Sequence, residues 1–193
     1  MKRLLPIWLI LGGLTVASAL AAPPPGRTPH IDDTVHLLPP IPGDLDRLEA
    51  KLADFESRSG IRLLLEFRER SPSPEEDNVP GAYMRALSAR EGTRKNGVLV
   101  VYFAGENDWR IWIGDELTAR FAGKPGTVKQ LTTSGAIHDA KEALLMAAHE
   151  RSLAGLAELQ KALPGDEPPP QDLKLRLQTE ALIDALIMKF SAK

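Results

Sequence analysis

The side chains of this sequence best suited to chemistry are carboxylates. Asp33 follows Asp32 in an apolar octet, Ile31-Asp32-Asp33-Thr34-Val35-His36-Leu37-Leu38. Asp108 closes a polar break, Ala104-Gly105-Glu106-Asn107-Asp108, and Asp115-Glu116 follow Gly114. Carboxylates on loops at one end of a sheet supply oxygen ligands to a hard cation such as calcium or magnesium. Asp33, Asp108, Asp115 and Glu116 are the candidate metal ligands. The expected cofactor is none, or a weakly held Ca or Mg ion. A structural reading competes. Acids are common in turns, Asp115 can cap a helix, and oxygen ligands carry no fixed spacing that would make these residues converge.

Other chemistries lack their signatures. No Gly-x-Gly-x-x-Gly or Walker loop is present, so a nucleotide fold has no support. No Gly-x-Ser-x-Gly elbow exists. His149-Glu150 begins like a metalloprotease helix motif but lacks the second histidine. His30, His36, His138 and His149 show no zinc spacing, and the absence of cysteine excludes disulfides, thiolate metal sites and a cysteine nucleophile. Arg110 is read as an arginine on a solvated strand face rather than a phosphate grip. Trp109 and Trp112, of opposite parity, are expected to pack one on each face of a sheet.

The elements that must hold these residues read as follows. Gly43 to Ser59 is a helix with Leu45, Leu48, Leu52 and Phe55 on its buried face, Asp44 as N-cap and Gly60 as a left-handed C-cap. Ile61 to Phe67 is a strand covered on both faces. Arg68 to Pro80 is a loop. A helix from Val79 or Pro80 to Arg90 turns Val79, Tyr83, Ala86 and Leu87 inward. The run Lys95 to Phe103, apolar and β-branched, pairs antiparallel with the run Asp108 to Leu117 across the Gly-Asn break, the pair opening with Asn96-Gly97 and ending with Gly114-Asp115. Thr118 to Phe121 finishes a short helix, Gly123 to Gly126 is a turn, and Gly135 to Leu163 is a long alanine-rich helix broken near Gly155. The order predicts one three-layer α/β/α domain with a central sheet of three to four strands.

Asn96-Gly97-Val98-Leu99-Val100, Arg110-x-Ile-x-x-Gly114 and Ile31-Asp32-Asp33 resemble the motifs of the TPM-domain family, an extracytoplasmic α/β module. The likeness covers Ile31 to Leu117 well and Gly155 to Leu163 vaguely. It implies Asp33 as the family's opening acid and divalent-cation binding through loop acids. It also implies either an accessory role toward membrane complexes or the acid-phosphatase activity described for thylakoid-lumen relatives. The sequence departs from the family pattern after Gly114. The second glycine and the glutamate of Gly-x-Gly-Leu-Glu become Glu116 and Thr118, and the later acid falls at Ala122-Gly123.

Residues 1–21 read as a cleaved signal peptide. Lys2 and Arg3 precede an apolar run, and Ala19-Leu20-Ala21 is a small-x-small cleavage signal; an uncleaved anchor is the alternative. The remaining 172 residues carry 22 basic and 26 acidic side chains, so no basic face for nucleic acid is implied. Residues 22–42 are a Pro-rich segment whose octet 31–38 lies against the domain. The domain itself spans 43–163, and 164–171 is a stiff linker. Residues 172–193 form an amphipathic C-terminal helix with Leu175, Leu182, Leu186 and Phe190 along one stripe. Asp184 and Lys189 exclude it as a membrane anchor, so it is expected to be a docking element whose removal leaves the domain folded. These readings lead to a periplasmic, non-catalytic binding or accessory module for an envelope protein. Its surface would be the loops Asp32-Asp33, Glu106 to Asp108 and Gly114 to Glu116. The alternatives are a divalent-cation-dependent acid-phosphatase-like hydrolase and a structural partner acting through the last helix.

Overall fold

The computed structural model describes residues 29–162 and 169–191. Residues 1–21, read above as a signal peptide, and most of the expected linker lie outside that range. Four strands form one sheet in the order β1 (Ile31–Asp32), β2 (Arg62–Arg68), β3 (Gly97–Phe103), β4 (Asp108–Ile113). β1, β2 and β3 run parallel, and β4 returns antiparallel to β3. The expected strand pair is therefore present, with Val100 facing Leu65 on one side and Ile111 on the other. The octet 31–38 lies against the domain, as expected, because Ile31-Asp32 is the fourth strand and Leu38 is buried.

Strand parity divides the core. Leu63, Leu65, Phe67, Val98, Val100, Tyr102, Ile111 and Ile113 face one layer. That layer contains α1 (Asp44–Ser59), α3 (Thr118–Ala122), α5 (Ala136–Ala162) and α6 (Gln171–Ser191). Leu64, Leu99, Val101 and Phe103 face the opposite layer, built from the single helix α2 (Ala82–Arg90). This is an α/β/α arrangement with one thick and one thin helical layer. Trp109 packs against Phe67 and Tyr102 on the thick side, and Trp112 joins the thin side, one on each face.

Two glycines of the strand pair are required by packing. Gly114 donates its N–H to Gly97 O at 2.8 Å. A Cβ at Gly114 would collide with the carbonyls of Lys95 and Gly97, and one at Gly97 would lie 2.8 Å from Thr93 Cα. The backbones approach too closely for any side chain. Gly60 is the left-handed C-cap of α1, its N–H bonded to Glu56 O.

Several expectations need correction. Gly43, not Asp44, is the N-cap of α1, in a left-handed conformation and with no side-chain cap. Leu45 is exposed, since the helix turns its buried stripe through Leu48, Leu52 and Phe55 only. α2 starts at Ala82, so Val79 lies outside the helix and is exposed; Ala86 faces solvent, while Met84 and Leu87 point inward. α5 runs unbroken through Gly155. A short helix, α4 (Val128–Thr133), was not expected. It is started by a capping box in which Thr127 Oγ1 accepts from Gln130 N and Gln130 Oε1 accepts from Thr127 N.

The largest correction concerns α6. It is not a separable docking element. Leu175, Ala181, Leu182, Ile183, Leu186 and Phe190 are buried in the main core, and Phe190 stacks on Phe121 with ring centroids 5.9 Å apart. Asp184 pairs with Lys51 and Glu180 with Arg47, both at 2.5 Å, tying α6 to α1. Thr179, also buried, returns its hydroxyl to Leu175 O at 2.8 Å. The buried face is wider than the four-residue stripe suggested, because alanine and threonine positions join it.

Candidate functional site

The carboxylates expected to converge on a cation are divided between the two ends of the sheet. Asp33 follows β1 and Asp108 opens β4, at the end where β2 and β3 finish. Asp115 and Glu116 follow β4, at the end where β2 and β3 begin. β4 separates Asp108 from Asp115, a path of about 20 Å at strand rise. Local chemistry engages two of the four. Asp33 accepts backbone N–H groups from Leu37 at 2.8 Å and Leu38 at 3.0 Å, forming a turn after β1. Asp108 accepts from Arg110 Nε at 3.0 Å. Arg110 also reaches Asp77 at 3.2 Å and lies over the Phe103 ring, so it fastens the 71–80 loop to the sheet rather than facing solvent alone. Among the described residues no group of three His, Asp or Glu side chains is placed to hold a metal ion. The proposed surface of three loops is likewise split, with Gly114 to Glu116 at the far end.

The acids gather elsewhere. A cleft of about 520 Å³ crosses the β1 edge of the sheet, where the strand ends, α1 and α2 meet. Six carboxylates line it, from Asp32, Asp33, Asp46, Glu49, Glu66 and Glu91. The nearby positive groups are His30, Arg68 and Arg90, so the cleft is net negative even with His30 protonated. Leu45, Leu64 and Leu65 supply apolar wall.

His30 organises one side of this cleft. Its Nδ1 lies 2.6 Å from Glu49 Oε1 and its Nε2 2.7 Å from Glu56 Oε2, and its backbone N–H also donates to Glu49. Glu49 and Glu56 are seven residues apart, on one side of α1. The residue is 5% exposed. Burial alone would push the imidazolium down; the hydrogen bonds and attractions of Glu49 and Glu56 outweigh it and hold His30 above its ordinary 6.5. For Glu49 burial acts upward, but the bonds from His30 and the Ile31 backbone hold it below its ordinary 4.5. The cation thus staples β1 to α1. With both ring nitrogens engaged, His30 is committed to structure and is not placed as a general base. Glu49 also accepts the N–H groups of His30 and Ile31, which leaves fewer free donors at the start of the edge strand.

On the other side of the cleft Glu66 is buried beside Arg68, with which it forms an ion pair. Burial, reinforced by the nearby Glu91 charge, holds Glu66 above its ordinary value despite Arg68.

No protein-family model matches the sequence, and no curated protein matches it. The site therefore rests on its own geometry.

The staple carries a pH signature. His30, raised on folding, contributes stability that is fully present below about pH 6.5 and is lost as pH rises through its folded value. Glu49, lowered on folding, contributes stability present above about pH 4.5 and lost as pH falls. The melting temperature is expected to be highest between these limits. His30→Gln should flatten the decline on the alkaline side and cost about 1–3 kcal/mol in mildly acidic buffer, because two glutamates lose their shared cation. Thermal melts of both proteins across pH 4 to 9 check this. An identical alkaline decline in the variant would remove His30 as its source.

Sequence reasoning passed over this site. His30 was judged only for zinc spacing, and its true partners lie 19 and 26 residues away. The spacing of Glu49 and Glu56 on one helix side was the only trace, and nothing local connects it to His30.

Proposed function

We propose that this protein is a non-catalytic binding module of the TPM type, acting in the periplasm on an envelope protein. The β1-edge cleft receives a basic segment of that partner. The observation that carries the reading is the net-negative lining of a 520 Å³ cleft built on a rigid strand–helix junction. Loops and edges on a rigid scaffold are the usual place for recognition. Complementary charge speeds encounter and selects partners. The TPM reading rests on the sequence motifs Asn96-Gly97 and Arg110-x-Ile-x-x-Gly114, with which a mixed α/β architecture is compatible. Because Glu49 already takes the N–H groups of His30 and Ile31, recognition works through cationic side chains rather than strand addition. No helix among the described residues is long and apolar enough to cross a membrane.

The cation-dependent phosphatase reading needs two or three convergent carboxylates to hold a metal that activates water. The separation of Asp33 and Asp108 from Asp115 and Glu116 counts against it. Fluorescence anisotropy with a labelled lysine-rich peptide tests the binding reading. Binding is expected to weaken as salt rises, and Asp46→Asn with Glu91→Gln should weaken it several-fold. Calcium- or magnesium-stimulated hydrolysis of a chromogenic phosphomonoester, lost in Asp33→Asn, would instead favour the phosphatase.

A further inference from the structure

The opposite edge of the sheet carries the reverse charge. A pocket of about 410 Å³ opens beside β4, between the end of the strand, α2 and the α4–α5 corner. Arg85, Arg94 and Lys141 line it, and none of the three makes an ion pair with any described residue. The single carboxylate in the lining is Asp115. Three cations against one anion leave a charge of +2 with His138 neutral. Elsewhere Arg47, Arg58, Arg68, Arg110 and Arg176 pair with acids, while Arg120 and Arg151 turn to a backbone carbonyl and a methionine sulfur. What sets this pocket apart is that three such cations share one cavity with a single carboxylate.

The pocket also has an aromatic and apolar wall. Trp112 forms one wall, and its buried indole N–H has no hydrogen-bond partner. The Arg85 guanidinium lies over the Trp112 ring, 6.0 Å from its centroid, so a cation is held against the aromatic wall. Ile113, Val128 and Ile137 complete the wall with apolar surface. Lys141 is half-buried, and its ammonium is held below the ordinary value by burial with no acid to offset it. A bound anion would supply that offset.

We propose that this pocket is a binding site for a small organic dianion. Its two negative charges meet Arg85, Arg94 and Lys141, and its flat apolar body lies against Trp112. The volume suits such a ligand, since small-molecule sites run from about 300 Å³ upward. The site is separate from the β1-edge cleft and stands or falls independently of it. It also gives Asp115 a role other than cation ligand. Within this pocket its charge opposes the ligand and limits affinity.

Isothermal titration calorimetry of the purified protein with phenyl phosphate and with phthalate tests the proposal, with neutral benzamide as control. Saturable binding of at least one dianion and none of benzamide is expected; which dianion binds tells a phosphoryl ligand from a dicarboxylate. Arg94→Gln with Lys141→Met should raise the dissociation constant at least tenfold. Asp115→Asn should lower it at least threefold, a gain that local unfolding cannot produce. No saturable heat with either dianion, equal binding of benzamide, or weaker binding in Asp115→Asn would overturn it.

Discussion

Val100→Asp is expected to remove a large part of the stability of the folded state. Val100 is 1% exposed, at the centre of the sheet between Leu65 and Ile111, and its side chain faces the thick helical layer. A carboxylate placed there has no partner. Either it stays charged in apolar surroundings or it is protonated at a cost, and breaking core packing adds to both. The penalty is about 3–5 kcal/mol, against a total stability of about 5–15 kcal/mol for a domain of this kind. Urea denaturation monitored by circular dichroism measures it. Val79→Asp is the control, because Val79 is 60% exposed and outside any helix; its effect should stay within about 0.5 kcal/mol. Equal midpoints for the two variants would show that Val100 does not occupy the core.

Deleting residues 171–193 should have a larger effect still. The sequence suggested a detachable helix, and the fold makes it a wall of the core. Removal strips Leu175, Leu182, Ile183, Leu186 and Phe190 from the main cluster and exposes the surfaces of α1, α3 and α5 that they cover. Burying an aliphatic or aromatic side chain is worth about 1.5–3 kcal/mol, so five such losses reach about 7 kcal/mol or more, comparable to the whole stability. The ion pairs from α1 to Glu180 and Asp184 go with them. The truncated protein is expected to be unfolded or molten, with a proton spectrum lacking dispersed methyl resonances. A dispersed spectrum with a cooperative melt would restore the docking-element reading.

The contrast between these two cases shows what periodicity conveys. The β3–β4 pair was legible because Gly97 to Phe103 is a continuous β-branched run with punctuation at both ends, and strands covered on both faces are written that way. For α6 the stripe itself was legible, but its partner was not. An amphipathic pattern states that a face must be covered and is silent on what covers it. The prolines at 168–170 were read as separation, yet α6 packs against α5 and α1. α4 announced itself through Thr127 and Gln130, a Thr-x-x-Gln capping box in a stretch otherwise read as a turn and the approach to a long helix.

The candidate sites divide along the same line. The acids were visible as residues, but their convergence depends on which end of the sheet each loop occupies. The antiparallel return of β4 sends Asp115 and Glu116 away from Asp33 and Asp108. The two clusters that do form each draw on segments distant in sequence. One joins β1, α1, β2 and the end of α2; the other joins α2, β4, α4 and α5. No local motif encodes either. The resulting molecule has an acidic cleft at one sheet edge and a basic pocket at the other, which a net charge of −2 for the whole chain conceals.

The claim that the β1-edge cleft is the recognition surface is tested most directly by amide chemical-shift mapping of the isotope-labelled protein during titration with a lysine-rich peptide. The account predicts saturable shifts confined to residues 30–34, 45–49, 64–66 and the neighbourhood of Glu91, suppressed by high salt. Shifts spread evenly over the surface, centred on the β4 edge, or absent at saturating peptide would contradict it.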